Sequence, residues 1–227
     1  MRILSLLSAG GETEPGTARL CDVCAEVSAM TGAGIMLMSD DTPMGSVCTT
    51  NEVSDLIEEL QYTLGEGPCV DAHQEGRPIL EPDLADPVTP RWLAFSPPAL
   101  AAGTRAVFGF PLQVGAARLG AMNLYRDRPG KLSDDQHADA LVMADVAAQT
   151  VLAMQANAPL DTVATKLEAS ANFHFVEHQA SGMVATQLRI RVGEALVRLR
   201  AYAFSHGVGL NEVAEAVVAR QLRFDSS

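Results

Sequence analysis

Residues 105–114 and 117–126 are two apolar runs around a Val-Gly-Ala-Ala turn, and this hairpin narrows the fold more than any other feature of the chain. A lone hairpin is marginal in water, so further strands or packed helices must cover it. Upstream segments supply both. Residues 34–39 read Gly-Ile-Met-Leu-Met-Ser, a short buried strand closing on an Asp-Asp-Thr-Pro-Met-Gly turn, and residues 46–50 pair back as the other arm of a hairpin.

Helical periodicity brackets these strands. Leu20, Val23, Cys24, Val27 and Met30 share one face of a helix over 17–31, which Gly32 stops. Val53, Leu56, Ile57 and Leu60 do the same over 52–62. Ser133-Asp-Asp-Gln136 fits a capping box, in which Ser and Gln satisfy each other's backbone amides. The helix it opens runs through Leu141, Val146 and Val151 to about residue 156, before Pro159. Residues 15–156 therefore predict an α+β domain, an antiparallel sheet flanked by helices rather than a βαβ repeat.

The stretch 77–98 holds six of the twelve prolines, so no long helix crosses it. Long irregular segments in compact domains tend to be binding loops or disordered, and the single Trp92 favours order here. A ligand pocket is expected between the sheet and this loop.

Beyond Pro159 every recognisable element is helical. Leu160, Val163 and Leu167 mark a connector over 157–172. Within 173–227, one helix carries Phe173, Val176, Ala180, Met183, Val184 and Leu188 inward, and a second over 192–205 carries Ala195, Leu196, Leu199 and Ala203. Gly207 and Gly209 break the chain, Asn211 is a good cap, and Val213, Ala214, Val217 and Leu222 line a third helix. Three helices in some fifty residues is near the minimum for an independent core.

The net charge of −12 argues against broad adhesion to nucleic acid or anionic membrane, but it is unevenly spread. Residues 170–227 carry six Arg against five acidic side chains, net +1, while the other 169 residues carry ten basic against 23 acidic, net −13. Two parts with different partners are the expectation. No apolar run is long enough to span a membrane, and the N-terminal apolar stretch is short for a signal peptide. A cytoplasmic protein with four reduced cysteines is expected.

Three blocks in the last fifty residues, His178-Gln-Ala-Ser-Gly-Met-Val-Ala185, Ala195-Leu-Val-Arg-Leu-Arg-Ala-Tyr-Ala203 and Leu210-Asn-Glu-Val-Ala-Glu-Ala-Val-Val218, resemble the ANTAR family. These are three-helix modules of bacterial transcription antiterminators that bind nascent RNA. Small residues Ala180, Gly182, Ala203 and Ala214 suit close helix approach. Ser181 stands where most ANTAR modules carry Lys, which removes one phosphate contact. The front portion, over 17–156, is similar to GAF sensor domains. That likeness rests on Leu64-Gly-Glu-Gly-Pro-Cys-Val-Asp-Ala72, Arg77-Pro78, Ala106-Val-Phe-Gly-Phe-Pro-Leu112 and Leu119-Gly-Ala-Met-Asn-Leu124. Together they look like the GAF–ANTAR architecture common in actinobacteria. The resemblance implies a non-enzymatic, homodimeric regulator that binds RNA hairpins and answers a small-molecule or protein signal.

The RNA-facing candidates are Arg198 and Arg200, which flank Leu199 and point away from the core, with His178 and Gln179 for base edges and Arg189 and Arg191 beside them. The bland reading of each is a solvated helix face. A protein-interaction module that has lost RNA binding is one alternative, and a DNA-binding helix-turn-helix is another. His174 and His178 stand four apart on one helix, yet no third ligand matches, so a solvent- or dimer-facing pair is expected rather than a metal site. Cys21 and Cys24 form a Cys-x2-Cys inside an amphipathic helix with no second such pair, and read as buried free thiols. Cys69, after a Gly-Glu-Gly-Pro turn, raises a redox alternative. Gly65-Glu-Gly67 lacks the Gly-Lys-Ser/Thr of a phosphate loop, and nothing orients Cys69, Asp71 and His73 as a catalytic set. No cofactor is implied.

Overall fold

The computed structural model describes residues 18–39, 42–87, 91–157 and 174–224, in a chain that divides into two compact units, 1–170 and 171–227. In chain order the first unit holds α1 (Ala18–Ser28), β1 (Gly32–Ser39), β2 (Thr42–Thr49), α2 (Glu52–Leu64) and α3 (Pro68–Glu75). There follow β3 (Ile79–Glu81), α4 (Ser96–Ala101), β4 (Ala106–Val114), β5 (Ala117–Arg126) and α5 (Asp134–Asn157). The strands form one antiparallel sheet in the order β2-β1-β5-β4-β3, with β5 of the predicted hairpin at its centre.

Pleating sends alternate side chains to opposite faces of the sheet. Ala33 and Ile35 of β1, Phe108, Phe110 and Leu112 of β4, and Met122 and Leu124 of β5 join Leu20, Val23 and Cys24 of α1 and Met143, Ala147 and Ala148 of α5 in one apolar core. Each fully buried Phe or Leu there is worth roughly 1.5–3 kcal/mol relative to exposure. The opposite face carries Gly34, Asn123 and Gly109, and α2 and α3 lie against it.

Local chemistry explains most boundaries. The capping box at α5 forms as expected: the Gln136 amide donates to Ser133 Oγ at 3.2 Å and the Ser133 amide to Gln136 Oε1 at 3.1 Å. A second box, Asn51 with Ser54, opens α2, and Gly65 closes it in the left-handed region at φ 67°. Helix α1 ends at Ala29, φ 53°, rather than at Gly32. Gly32 instead begins β1, where a Cβ would collide with the Tyr125 ring. Helix α3 lies where the sequence reads as a turn. Its eight residues are too few to show a helical period, but Pro68 stands at its first position, where a missing amide costs nothing.

Two of the four cysteines are not reduced thiols: Cys21 of α1 is disulfide-bonded to Cys48 of the edge strand β2, with Cα atoms 5.9 Å apart. Cys48 looks isolated in the sequence because its partner lies 27 residues away, brought near by the packing of α1 beside the sheet. Cys24 and Cys69 are free and buried.

The second unit holds α6 (Phe175–Leu188), α7 (Val192–His206) and α8 (Leu210–Val218), in mutual contact. Their buried apolar residues are Ala180, Val184 and Ala185, then Ala195, Leu196, Leu199 and Ala203, then Leu210, Val213, Ala214 and Val217. Ala180, Ala203 and Ala214 thus sit at packing seams as expected. Gly182 does not, because a Cβ there would meet nothing within 4 Å. Asn211 is not the cap of α8. Gly209 occupies that position, and the Asn211 amide donates to Glu215 instead. The 157–172 connector lies outside the described residues beyond Asn157, as does Phe173. Among the described residues no helix is long and apolar enough to cross a membrane.

Candidate functional site

The face of the sheet away from α1 and α5 carries Met36, Val107 and Tyr125, but two glycines and an asparagine interrupt it in the middle. Gly34 and Gly109 are the direct cross-strand partners of Asn123 on either side, so the three share one face in a row across β1, β5 and β4. The Glu58 side chain of α2 lies over Gly34, where a Cβ would come within 2.5 Å of its Oε1. The Pro68 carbonyl of α3 fills the same place over Gly109. The two glycines let the helices come close, and Asn123 stands in the slot between Glu58 and the start of α3.

This slot is polar and sealed. Glu58 is 3% exposed, and Gln61 and Asn123 are fully buried. Both carboxyl oxygens of Glu58, both amide atoms of Asn123 and Nε2 of Gln61 lack a hydrogen-bond partner. Gln61 is held by its other atom, since the Cys69 amide donates to Oε1 at 2.7 Å. Burial, with a smaller push from Asp55, raises the Glu58 carboxyl to about 8, so it is protonated at neutral pH. Burial and the nearby Glu58 together hold the Cys69 thiol far above its ordinary range, and burial pushes Cys24 up to about 12. Both thiols are fully buried, an environment that disfavours the thiolate.

Within the proline-rich segment, residues 79–81 join the sheet as β3, and residues 91–95 bond to α3 and the turn before it. Glu66 Oε1, in the α2–α3 turn, accepts from the Ala94 and Phe95 amides at 2.7 and 2.8 Å. Trp92 is 6% exposed and donates from Nε1 to Asp71 Oδ2 of α3 at 2.9 Å. Its backbone lies at φ 50°, a region costly for a bulky residue, so these bonds over-determine the loop. Burial raises the Asp71 carboxyl, and the bond from Trp92 partly offsets that. The order expected from Trp92 is present.

In the second unit the six candidate RNA contacts fall in two places. His178, half-buried, and Gln179, exposed, lie near the start of α6. Arg189 ends α6 in the left-handed region at φ 55°, and Arg191 precedes α7, so both sit in the turn about 15 Å farther along. Arg191 pairs with Glu194 at 2.9 Å, and both are exposed. Arg198 is exposed and lies two turns on from Arg191 on the same side of α7. Arg200 does not point away from the core: it is half-buried with its Nε shielded from solvent, because 3.6 residues per turn puts residues 198 and 200 on opposite flanks of Leu199. Ser181 is fully buried and its Oγ donates to the His178 carbonyl at 2.8 Å, so its position faces inward in this chain.

His174 is likewise buried at 5%, its Nδ1 4.0 Å from Glu177, and does not face solvent. Among the described residues no group of three His, Cys, Asp or Glu is placed to hold a metal ion.

A five-stranded antiparallel sheet flanked by helices defines an α+β domain, and the comparisons give its family. Residues 17–153, more than half of the chain, match the GAF domain family, and the chain belongs to that family. Among solved structures it is similar to a domain assigned to a two-component sensor histidine kinase from Sinorhizobium meliloti 1021. That match has a TM-score of 0.53 and 20% identity, covering 65% of this chain and 96% of that one. It is also similar to the GAF domain from a phosphoenolpyruvate-protein phosphotransferase of Coxiella burnetii, at TM-score 0.51 and 14% identity, covering 68% and 91%. At such identities the likeness shows the fold alone. The comparison with curated proteins finds no match.

Proposed function

We propose that this chain is a signal-responsive transcription antitermination regulator of the GAF–ANTAR type, with a GAF sensor domain over 15–156 and an RNA-binding ANTAR bundle over 173–227. The bundle binds a hairpin in the nascent transcript and so disfavours the competing terminator. The step is a competition between RNA structures, so no bond is made or broken and no enzyme activity is invoked. The observation that carries this reading is the placement of the three ANTAR-like blocks on α6, α7 and α8, with Ala180, Ala203 and Ala214 buried between them.

Arg191 and Arg198, exposed on one side of α7, are the cations best placed for phosphates, with Arg189 beside them and Gln179 and His178 available for base edges. The interior position of Ser181 means that the missing lysine costs this chain no surface contact at that site. The expected homodimer draws support from Leu141 and Val142, which are 45% and 48% exposed on α5. A cytoplasmic location follows from the same reading.

A second reading, a protein-interaction module, is favoured by Val197 and Phe204 on α7, which are 59% and 78% exposed two turns apart. Gel-shift titration of the full chain against a paired-hexaloop RNA at two salt concentrations, with duplex DNA as control, separates the readings. RNA binding that weakens with salt, with a salt slope reduced by about 1 in Arg198→Ala, supports antitermination. Absence of RNA binding at low salt, with helicity intact, refutes it.

A further inference from the structure

The Cys21–Cys48 disulfide ties α1 to β2, and the first unit does not need it as a staple. Crosslinks are needed where a chain is too short to bury a core. This unit buries Phe108, Phe110, Leu112, Met122 and Leu124 against two helices. Cys24, one turn on from Cys21 in α1, lies fully buried in the same core as a free thiol. That core therefore holds a reduced cysteine as a small apolar side chain. In a reducing compartment, which the reading above implies, a disulfide is more often a redox device than a structural one.

The two sulfurs are not equivalent. Cys21 is fully buried, whereas Cys48 is half-buried on the outermost strand. Exchange begins when a thiolate reaches one sulfur, so access directs attack to Cys48 and makes Cys21 the leaving group. Strand β2 is also lightly held. It bonds only to β1, through a ladder with irregularities at Ile35/Met36 and Leu37/Met38, while β1 pairs with β5 in regular register. Its C-terminal end is anchored on α2, where the Thr50 amide donates to Ser54 Oγ at 3.0 Å and Thr49 Oγ1 donates to Asp55. The disulfide supplies the covalent tie to α1, and α1 in turn packs against α5.

We propose that Cys21 and Cys48 are a reversible thiol–disulfide site, through which a thiol reductant unties edge strand β2 from α1 while the domain stays folded. A thiolate of the reductant attacks Cys48 Sγ, the bond to Cys21 breaks, and Cys21 leaves as a thiolate that takes up a proton. A second reductant thiol then displaces Cys48 from the mixed disulfide, and Cys48 takes up a proton in turn. The chain gains two thiols, the reductant gains one disulfide, and two electrons and two protons have moved. An excess of oxidised reductant runs the same steps in reverse. The site rests on the cytoplasmic sensor reading above and gives it a redox signal.

The full chain is equilibrated in buffers that run from mostly oxidised to mostly reduced glutathione, then denatured, alkylated and weighed by mass spectrometry. With four cysteines in the chain, the crosslinked form takes two labels and the reduced form four. The passage from two to four is expected within the glutathione range, because structural disulfides resist that pool. Hydrogen exchange of the reduced chain should quicken about tenfold or more at β2 amides and stay within about threefold at β4 and β5. Cys48 in Cys21→Ala should react with glutathione disulfide about tenfold or more faster than Cys21 in Cys48→Ala. The first two readouts use the wild-type chain and need no variant to fold.

Two labels across the whole range identify a structural crosslink and overturn the proposal. Four labels throughout, with the pair never closing, overturn it equally. So does exchange at β4 and β5 that rises as much as at β2, because reduction then unfolds the domain rather than releasing a strand. Cys21 reacting as fast as Cys48 overturns the direction of attack and the proposal with it. None of these readouts involves RNA, so the gel shift judges the antitermination reading separately.

Discussion

The two faces of the one sheet in the first unit are built to opposite specifications. Toward α1 and α5 the inward side chains of β1, β4 and β5 are apolar except Arg126, which donates to Gln136 of α5, and the helices answer with Leu, Val, Met, Ala and Cys. Toward α2 and α3 the same strands offer Gly34, Gly109 and Asn123, and the helices answer with Glu58 and Gln61. The first face gains stability from area removed from water. The second gives some of that up, since its groups are stripped of water without full compensation. The unpartnered polar atoms of Glu58, Gln61 and Asn123 thus gather on one face, beside a core that is almost wholly apolar on the other.

Substitutions on each face should break or sharpen this contrast. The largest effect belongs to the apolar face: Phe108→Ala deletes a fully buried ring and should cost about 3–5 kcal/mol in denaturant unfolding. The disulfide on the same side comes next. It closes a loop of 27 residues, and Cys21→Ser should cost about 3–4 kcal/mol on the chain-entropy estimate. An unchanged midpoint on adding reductant to the wild-type chain would show that the crosslink contributes nothing.

The slot face should respond to pH instead. Glu58 titrates at about 8 in the folded chain against 4.5 for an ordinary glutamate, so the folded state holds its proton more tightly. Its contribution to stability is complete below about 4.5, falls as pH rises through the interval, and levels off above about 8. Unfolding titrations at pH 5 and pH 8 should differ by about 2–4 kcal/mol from this group, and Glu58→Gln should remove that difference. A slope retained in the variant would assign it elsewhere. The smallest effect is at the latch over α3. Trp92→Phe loses the bond to Asp71 and should cost about 1–2 kcal/mol. It should also raise the Asp71 carboxyl further by removing a donor that lowers it, a change visible by carboxyl NMR.

Much of the architecture was legible because it is periodic or chemically local. The 105–126 hairpin, the β1 strand, α2 and the Ser133–Gln136 box all rest on signals a few residues long. Helix α3 was not legible, being too short to show a period and opened by a Gly-Pro pair that also reads as a turn. The slot was not legible either, because Glu58 and Asn123 are 65 residues apart and each looks like an ordinary polar position. Glycines at two strand centres, Gly34 and Gly109, were the available signal, since a glycine inside a strand often marks a close approach. The half-burial of Arg200 beside the exposed Arg198 was not legible either, because both stand about 100° from Leu199 and only packing decides which flank is covered.

What the sequence determined by itself is the class of fold and the division into an acidic α+β part and an Arg-bearing helical part. Those follow from hydrophobic period, turn chemistry and charge, each summed along the chain. Tertiary structure alone decided the partners: Cys21 with Cys48, Glu58 over Gly34 beside Asn123, and the 91–95 loop on α3 through Glu66 and Asp71. Such pairings depend on strand order and register. A one-residue shift in register moves every side chain of a strand to the other face, so no local pattern records them.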